Sequence, residues 1–151
     1  MLNLRGTFAA LFAAAAITLA VSLQALAGAV NLDSSGVAIM GYDPVAYFAE
    51  SKPVMGSDQY SVTYDGAIYR FSSAENQAAF EAEPQKYVPA YGGYCAYGLS
   101  QGYKAPVDPQ AFTVVNDRLY LNYSTGVRDK WQSDIPGYIA EADKNWVSLG
   151  E

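Results

Sequence analysis

The chain contains no histidine and a single cysteine, Cys95. The first absence removes the commonest general base, the commonest zinc ligand and every Ser-His or Cys-His dyad. The second rules out an intramolecular disulfide, so a lone thiol is either buried and inert or kept for chemistry or pairing with another molecule. Basic residues are also scarce: nine Lys and Arg stand against fifteen Asp and Glu, for a formal net charge of −6. Every acidic residue lies beyond position 27. Such a surface repels phosphate backbones and anionic head groups, and nucleic-acid binding is excluded as a function. No internal repeat, low-complexity tract or long linker divides the chain.

The one long uncharged run is at the start. Residues 1–5 carry one positive charge, Arg5, and residues 7–23 are uncharged and rich in Ala, Leu and Phe. Ala25-Leu26-Ala27 supplies the small-x-small pattern of signal peptidase. The run falls short of the about 20 apolar residues that a membrane span needs. Residues 1–27 are therefore expected to be a cleavable signal peptide, leaving Gly28 as the first mature residue and no stable membrane span. Retention as an N-terminal anchor is the alternative. The expected location is the periplasm or the medium, and 28–151 is expected to form one domain.

The chain beyond residue 27 is rich in tyrosine and holds all 13 of them. Residues 60–64 and 67–71 favour strands, and Asp65-Gly66 between them suits the positive φ angles of a two-residue hairpin turn. Residues 112–115 and 118–123 repeat the pattern around Asn116-Asp117. Asp43-Pro44 opens a short helix. Ser72-x-x-Glu75 is a capping box for another. Residues 127–131 and 138–147 read as helices separated by Pro136-Gly137, with Ile135, Ile139, Ala142 and Trp146 at helical spacing. The expected fold is α+β: a small antiparallel sheet built from two hairpins, with short helices packed against it.

The sequence 41–48, Gly-Tyr-Asp-Pro-Val-Ala-Tyr-Phe, the sequence 64–73, Tyr-Asp-Gly-Ala-Ile-Tyr-Arg-Phe-Ser-Ser, and Gly92-Gly93-Tyr94-Cys95-Ala96 together resemble the secreted, single-domain branch of the YHS-domain proteins. Phe80, Pro84, Lys86-Tyr87, the run 119–123 and Trp131 continue the pattern. The resemblance implies a metal-binding role, with copper as the metal, carried by two cysteines of a Phe-Cys-Ser-x-x-Cys segment. Here Ser72 and Asn76 stand in those positions, and the histidine of the family name has no counterpart. In this branch the Gly-Gly-Tyr-Cys-Ala motif also admits selenocysteine, a role that only Cys95 could fill.

Two readings of function are open. One is an accessory or binding module for a metal or a small ligand near Cys95, with Gly92, Gly93, Tyr94, Tyr97 and Tyr42 around it. A soft-metal site for Cu(I) would combine Cys95 with Met40 and Met55. The other is a thiol-dependent redox protein using Cys95. Asp43 and Asp108 each precede a proline and are expected to cap or turn the chain.

Overall fold

The computed structural model describes residues 29–151, and the expected signal peptide lies outside them. The elements are α1 (Ala46–Ala49), β1 (Ser57–Tyr64), β2 (Ala67–Phe71), α2 (Ala74–Ala82), α3 (Pro84–Tyr87), α4 (Ala96–Ser100), β3 (Asp108–Val115), β4 (Arg118–Asn122), α5 (Thr125–Gln132) and α6 (Ile135–Leu149). Single 3₁₀ turns at Ile39–Gly41 and Ala90–Gly93 precede α1 and α4. The chain is an α+β protein, as its pattern of hairpins and helices implies.

Both hairpins form where the turn residues put them. Asp65 and Gly66 have φ of 47° and 78°, and Asn116 and Asp117 have 51° and 56°. These left-handed pairs match the right-handed twist of the flanking strands. The hairpins do not join into the single sheet expected from the sequence: β1–β2 and β3–β4 are separate two-stranded sheets. The reason lies at their edges. The outer edge of β2 is taken by residues 36–38, with Ala38 N–H donating to Ile68 O and Ile68 N–H to Gly36 O, both at 2.9 Å. The exit of β4 is turned to a sulfur, Tyr123 N–H donating to Cys95 Sγ at 3.3 Å. Each hairpin also carries a register shift, between Ser57 and Ser61 and between Asp108 and Phe112, which increases its twist.

Isolated two-stranded sheets are marginal in water, so side-chain burial must hold these in place. The strand β4 does so for both halves of the core. Its side chains alternate across the strand. Leu119 and Leu121 enter a cluster with Tyr47, Phe71, Phe80 and Cys95, while Tyr120 enters a second with Tyr91, Leu99, Trp131 and Ala142. The helix α6 packs on α4 and closes the second cluster.

Two helix starts differ from their sequence signatures. The cap of α2 is Ser73, whose Oγ accepts Asn76 N–H at 3.1 Å, because Ser72 is drawn away to Asp43. Pro136 and Gly137 do not separate two helices but lie in the first turn of α6, where a proline lacks no needed hydrogen bond. The break falls at Ser133–Asp134. Asp134 caps Gly137 N–H at 3.1 Å, and a Cβ at position 137 would collide with that carboxylate.

Candidate functional site

Cys95 ends the Ala90–Gly93 turn region and caps α4. Tyr91, Gly92 and Gly93 have φ of 56°, 59° and 80°. This left-handed run reverses the chain against the first described segment. Asn31 N–H donates to Gly92 O at 2.8 Å and Asn31 Nδ2 to Gly93 O at 3.2 Å. A Cβ on Gly92 would overlap the carbonyl of Ala29, so the position demands glycine for closeness as well as for φ.

The turn delivers the Cys95 side chain into the interior, 1% exposed. Its Sγ accepts N–H bonds from Gly98 at 3.4 Å and Tyr123 at 3.3 Å, and its S–H donates to Asn122 Oδ1 at 3.5 Å. The same Oδ1 accepts Tyr97 N–H at 3.0 Å, which fixes the orientation of the wholly buried Asn122 amide. Asn122 Nδ2 is left without a hydrogen-bond partner among the described residues.

Although buried, Cys95 borders a cavity of about 250 Å³ that Tyr97, Tyr103, Ala105, Tyr123 and Val127 also line. Tyr97 comes from α4, Tyr103 and Ala105 from the loop before β3, Tyr123 from the end of β4 and Val127 from α5. Beside the cavity the Lys130 ammonium lies 4.7 Å from the centre of the Tyr97 ring. The Tyr97 phenol beside it, with Tyr138 and Tyr103 nearby, holds its pKa above the ordinary lysine value. The Tyr138 ring meets Tyr97 edge-on at 5.3 Å. A larger hollow of about 410 Å³ over Tyr64 and residues 83–86 is a shallow surface feature among exposed side chains.

Of the residues singled out in the sequence, Cys95 and Tyr97 share the cavity, and Gly92 and Gly93 shape the turn that leads to it. Tyr94 faces away: its hydroxyl donates to Val30 O at 3.4 Å and its ring lies 6.5 Å from Trp146. Tyr42 pairs through its backbone with Met55 and packs on the first core cluster. Met40 and Met55 are 60% and 56% exposed, and neither lines the cavity of Cys95. Met40 instead borders a hollow of about 90 Å³ with Asn31, Asp33 and Val107, and the Met55 sulfur lies by Gly41. Asn122 and Tyr123 belong to the 119–123 run of the family pattern, which does not single them out as site residues, and Ala105, Val127 and Lys130 carry no local signal; together they reach the site from separate elements.

The positions of the family's cysteine pair are engaged in something else. Asp43 is wholly buried. Its Oδ1 accepts Val45 N–H at 2.8 Å and Ala46 N–H at 3.3 Å, which caps α1. Its Oδ2 accepts Ser72 N–H and Ser72 O–H, both at 2.8 Å, and Asn76 Nδ2 at 2.7 Å. All these donors converge on an anion, the reverse of the electron-pair donors that a cation requires. The residues at 72 and 76 therefore do not fit a metal. Among the described residues no three His, Cys, Asp or Glu side chains come together as a metal site. Asp108 plays the expected turn role, accepting Gln110 N–H at 2.9 Å.

Among the described residues no helix is long and apolar enough to cross a membrane. No curated protein and no solved structure matches the chain. Residues 45–91 match the model of the YHS domain. They contain α1, the first hairpin, both residues of the Ser72–Asn76 pair and the start of the Tyr91 turn. By that match residues 45–91, about a third of the chain, carry the signature of a YHS domain.

Proposed function

We propose that this chain is an exported binding module that takes a small organic ligand in the cavity over Cys95. YHS domains are linked to metal binding, but here Ser72 and Asn76 are committed to an internal carboxylate. Met40 and Met55 are exposed and do not line the cavity of Cys95. The observation that carries the reading is the cavity of about 250 Å³ whose walls include three tyrosine rings from three parts of the chain. Such a mostly apolar hollow with a few phenolic groups has the character of a ligand site, at the small end of the usual size range. Nothing in it supplies a general base, so binding without turnover is the simplest chemistry consistent with it. Export is supported by the signal-like pattern of residues 1–27.

A second reading, thiol chemistry at Cys95, draws on the two N–H groups aimed at the sulfur of a residue that borders the cavity. It requires a partner thiol or disulfide from another molecule, since the chain has no second cysteine.

Native mass spectrometry of the protein purified from its own cell envelope separates the readings. An organic mass that is lost on denaturation supports the binding module. A mass that survives denaturation but is removed by reductant replaces it with the thiol reading. A copper ion retained with unit stoichiometry overturns both.

A further inference from the structure

The cavity over Cys95 combines a satisfied interior with a charged edge. Cys95 lines it, and its sulfur already accepts two N–H bonds and donates its S–H to Asn122 Oδ1, so it offers little to a polar ligand atom. The walls are aromatic and aliphatic. Two of the lining tyrosines, Tyr103 and Tyr123, remain 50% and 58% exposed. Large rings left open in this way beside a hollow are surface on which a flat ligand can stack.

The edge is set by α5. Lys130 follows Val127 by three residues, which puts both on one side of the helix. Its ammonium sits over Tyr97, a cavity wall. Neither ion pair recorded here, Lys52 with Glu50 or Arg128 with Asp129, engages Lys130. In a chain of net charge −6, a cation surrounded by phenols rather than acids is a specific local feature. An ammonium has three N–H donors, and its recorded contact here is with the Tyr97 ring.

We propose that the cavity selects a small aromatic carboxylate, its ring between the tyrosines and its carboxylate on Lys130. The volume suits one ring or two fused rings. This proposal rests on the small-ligand reading of the same cavity and adds the charge and shape of the ligand.

The test is an NMR titration of the folded protein with 2-naphthoate and, separately, with the neutral 2-naphthamide. The carboxylate should bind more tightly than the amide and shift the signals of Tyr97, Tyr103 and Tyr123. Lys130→Met should weaken the carboxylate by about fivefold, the scale of an exposed ion pair, and leave the amide unchanged. Added salt should weaken the carboxylate alone. Equal binding of both probes, unaffected by Lys130→Met, overturns the anionic ligand while leaving the cavity as a binding site. Absence of binding by either probe at millimolar concentration overturns the cavity reading itself. Ala105→Phe, checked for folding by circular dichroism, should abolish binding by filling the cavity. Binding that survives in a folded Ala105→Phe protein places the ligand elsewhere and overturns the proposal.

Discussion

Asp43 Oδ2 and Asn76 Nδ2 lie 2.7 Å apart across 33 residues of sequence. With Ser72 they draw the start of α1, the end of β2 and the first turn of α2 onto one buried carboxylate. Hydrogen bonds to a charged group are stronger than neutral ones, and leaving their partners unmet in the interior is costly. Asp43→Ala should lower stability by on the order of 3 kcal/mol, read from urea unfolding. A chelator should leave the unfolding midpoint of the wild type unchanged. A drop in midpoint with chelator, restored by a metal, would show that a cation and not the carboxylate organises this corner.

Cys95 serves packing and hydrogen bonding together. Cys95→Ala removes the acceptor for Gly98 and Tyr123 N–H and should cost about 2 kcal/mol. Because Cys95 borders the cavity, iodoacetamide should label it in the folded protein, slowly compared with the unfolded chain. Tyr103→Ala, which opens a wall, should accelerate labelling. Labelling confined to the unfolded chain in both proteins would mean that the cavity gives no path to the sulfur.

Gly92→Ala tests the link between the first described residues and the Cys95 turn. The substitution imposes a positive φ on alanine and drives a methyl group into the Ala29 carbonyl. A loss on the order of 2 kcal/mol or more is expected. Gly36→Ala is the control: its φ is 82°, but a Cβ there meets nothing within 4 Å. If the two variants melt alike, the close approach to Ala29 contributes nothing.

Three tyrosines should resist ionisation. Burial pushes the phenols of Tyr47, Tyr69 and Tyr91 well above the ordinary tyrosine value, and at Tyr91 the bond to Asp143 adds to it. A phenol whose pKa is raised in the folded state contributes stability that is complete below the unfolded value, about 10, and is lost above it. Stability should therefore fall as pH rises beyond about 10. In an ultraviolet titration a fraction of the phenols should ionise only together with unfolding. A single transition covering all 13 tyrosines in a folded protein would contradict this.

Local features were legible in the sequence where one residue type answers one backbone demand. Asp65-Gly66 and Asn116-Asp117 announce their positive φ angles directly, and Gly92-Gly93 announces a tight approach. The displacement of Ser72 from its capping box is not visible locally, because its competitor Asp43 is 29 residues away. Tyr94 and Tyr97 flank Cys95 alike in sequence, yet the short helix after Cys95 sends only Tyr97 to the cavity. Lys130 acquires meaning only once α5 is laid beside α4. The separation of the two hairpins depends on residues 36–38, an irregular stretch that takes the edge of β2.

The family match stops at residue 91, in the middle of the second core cluster. The Tyr91 ring lies 5.9 Å from Tyr120 and 6.0 Å from Trp146, and its hydroxyl donates to Asp143 at 2.8 Å. At the other end Tyr47 donates to Pro109 O at 2.9 Å and packs on Phe112. An excised 45–91 fragment would expose these rings to water and keep one hairpin with too little to hold it. The matched segment is thus smaller than the packed unit that buries its rings. Transplanting the YHS portion alone into another protein would transfer a sequence signature without its thermodynamic autonomy.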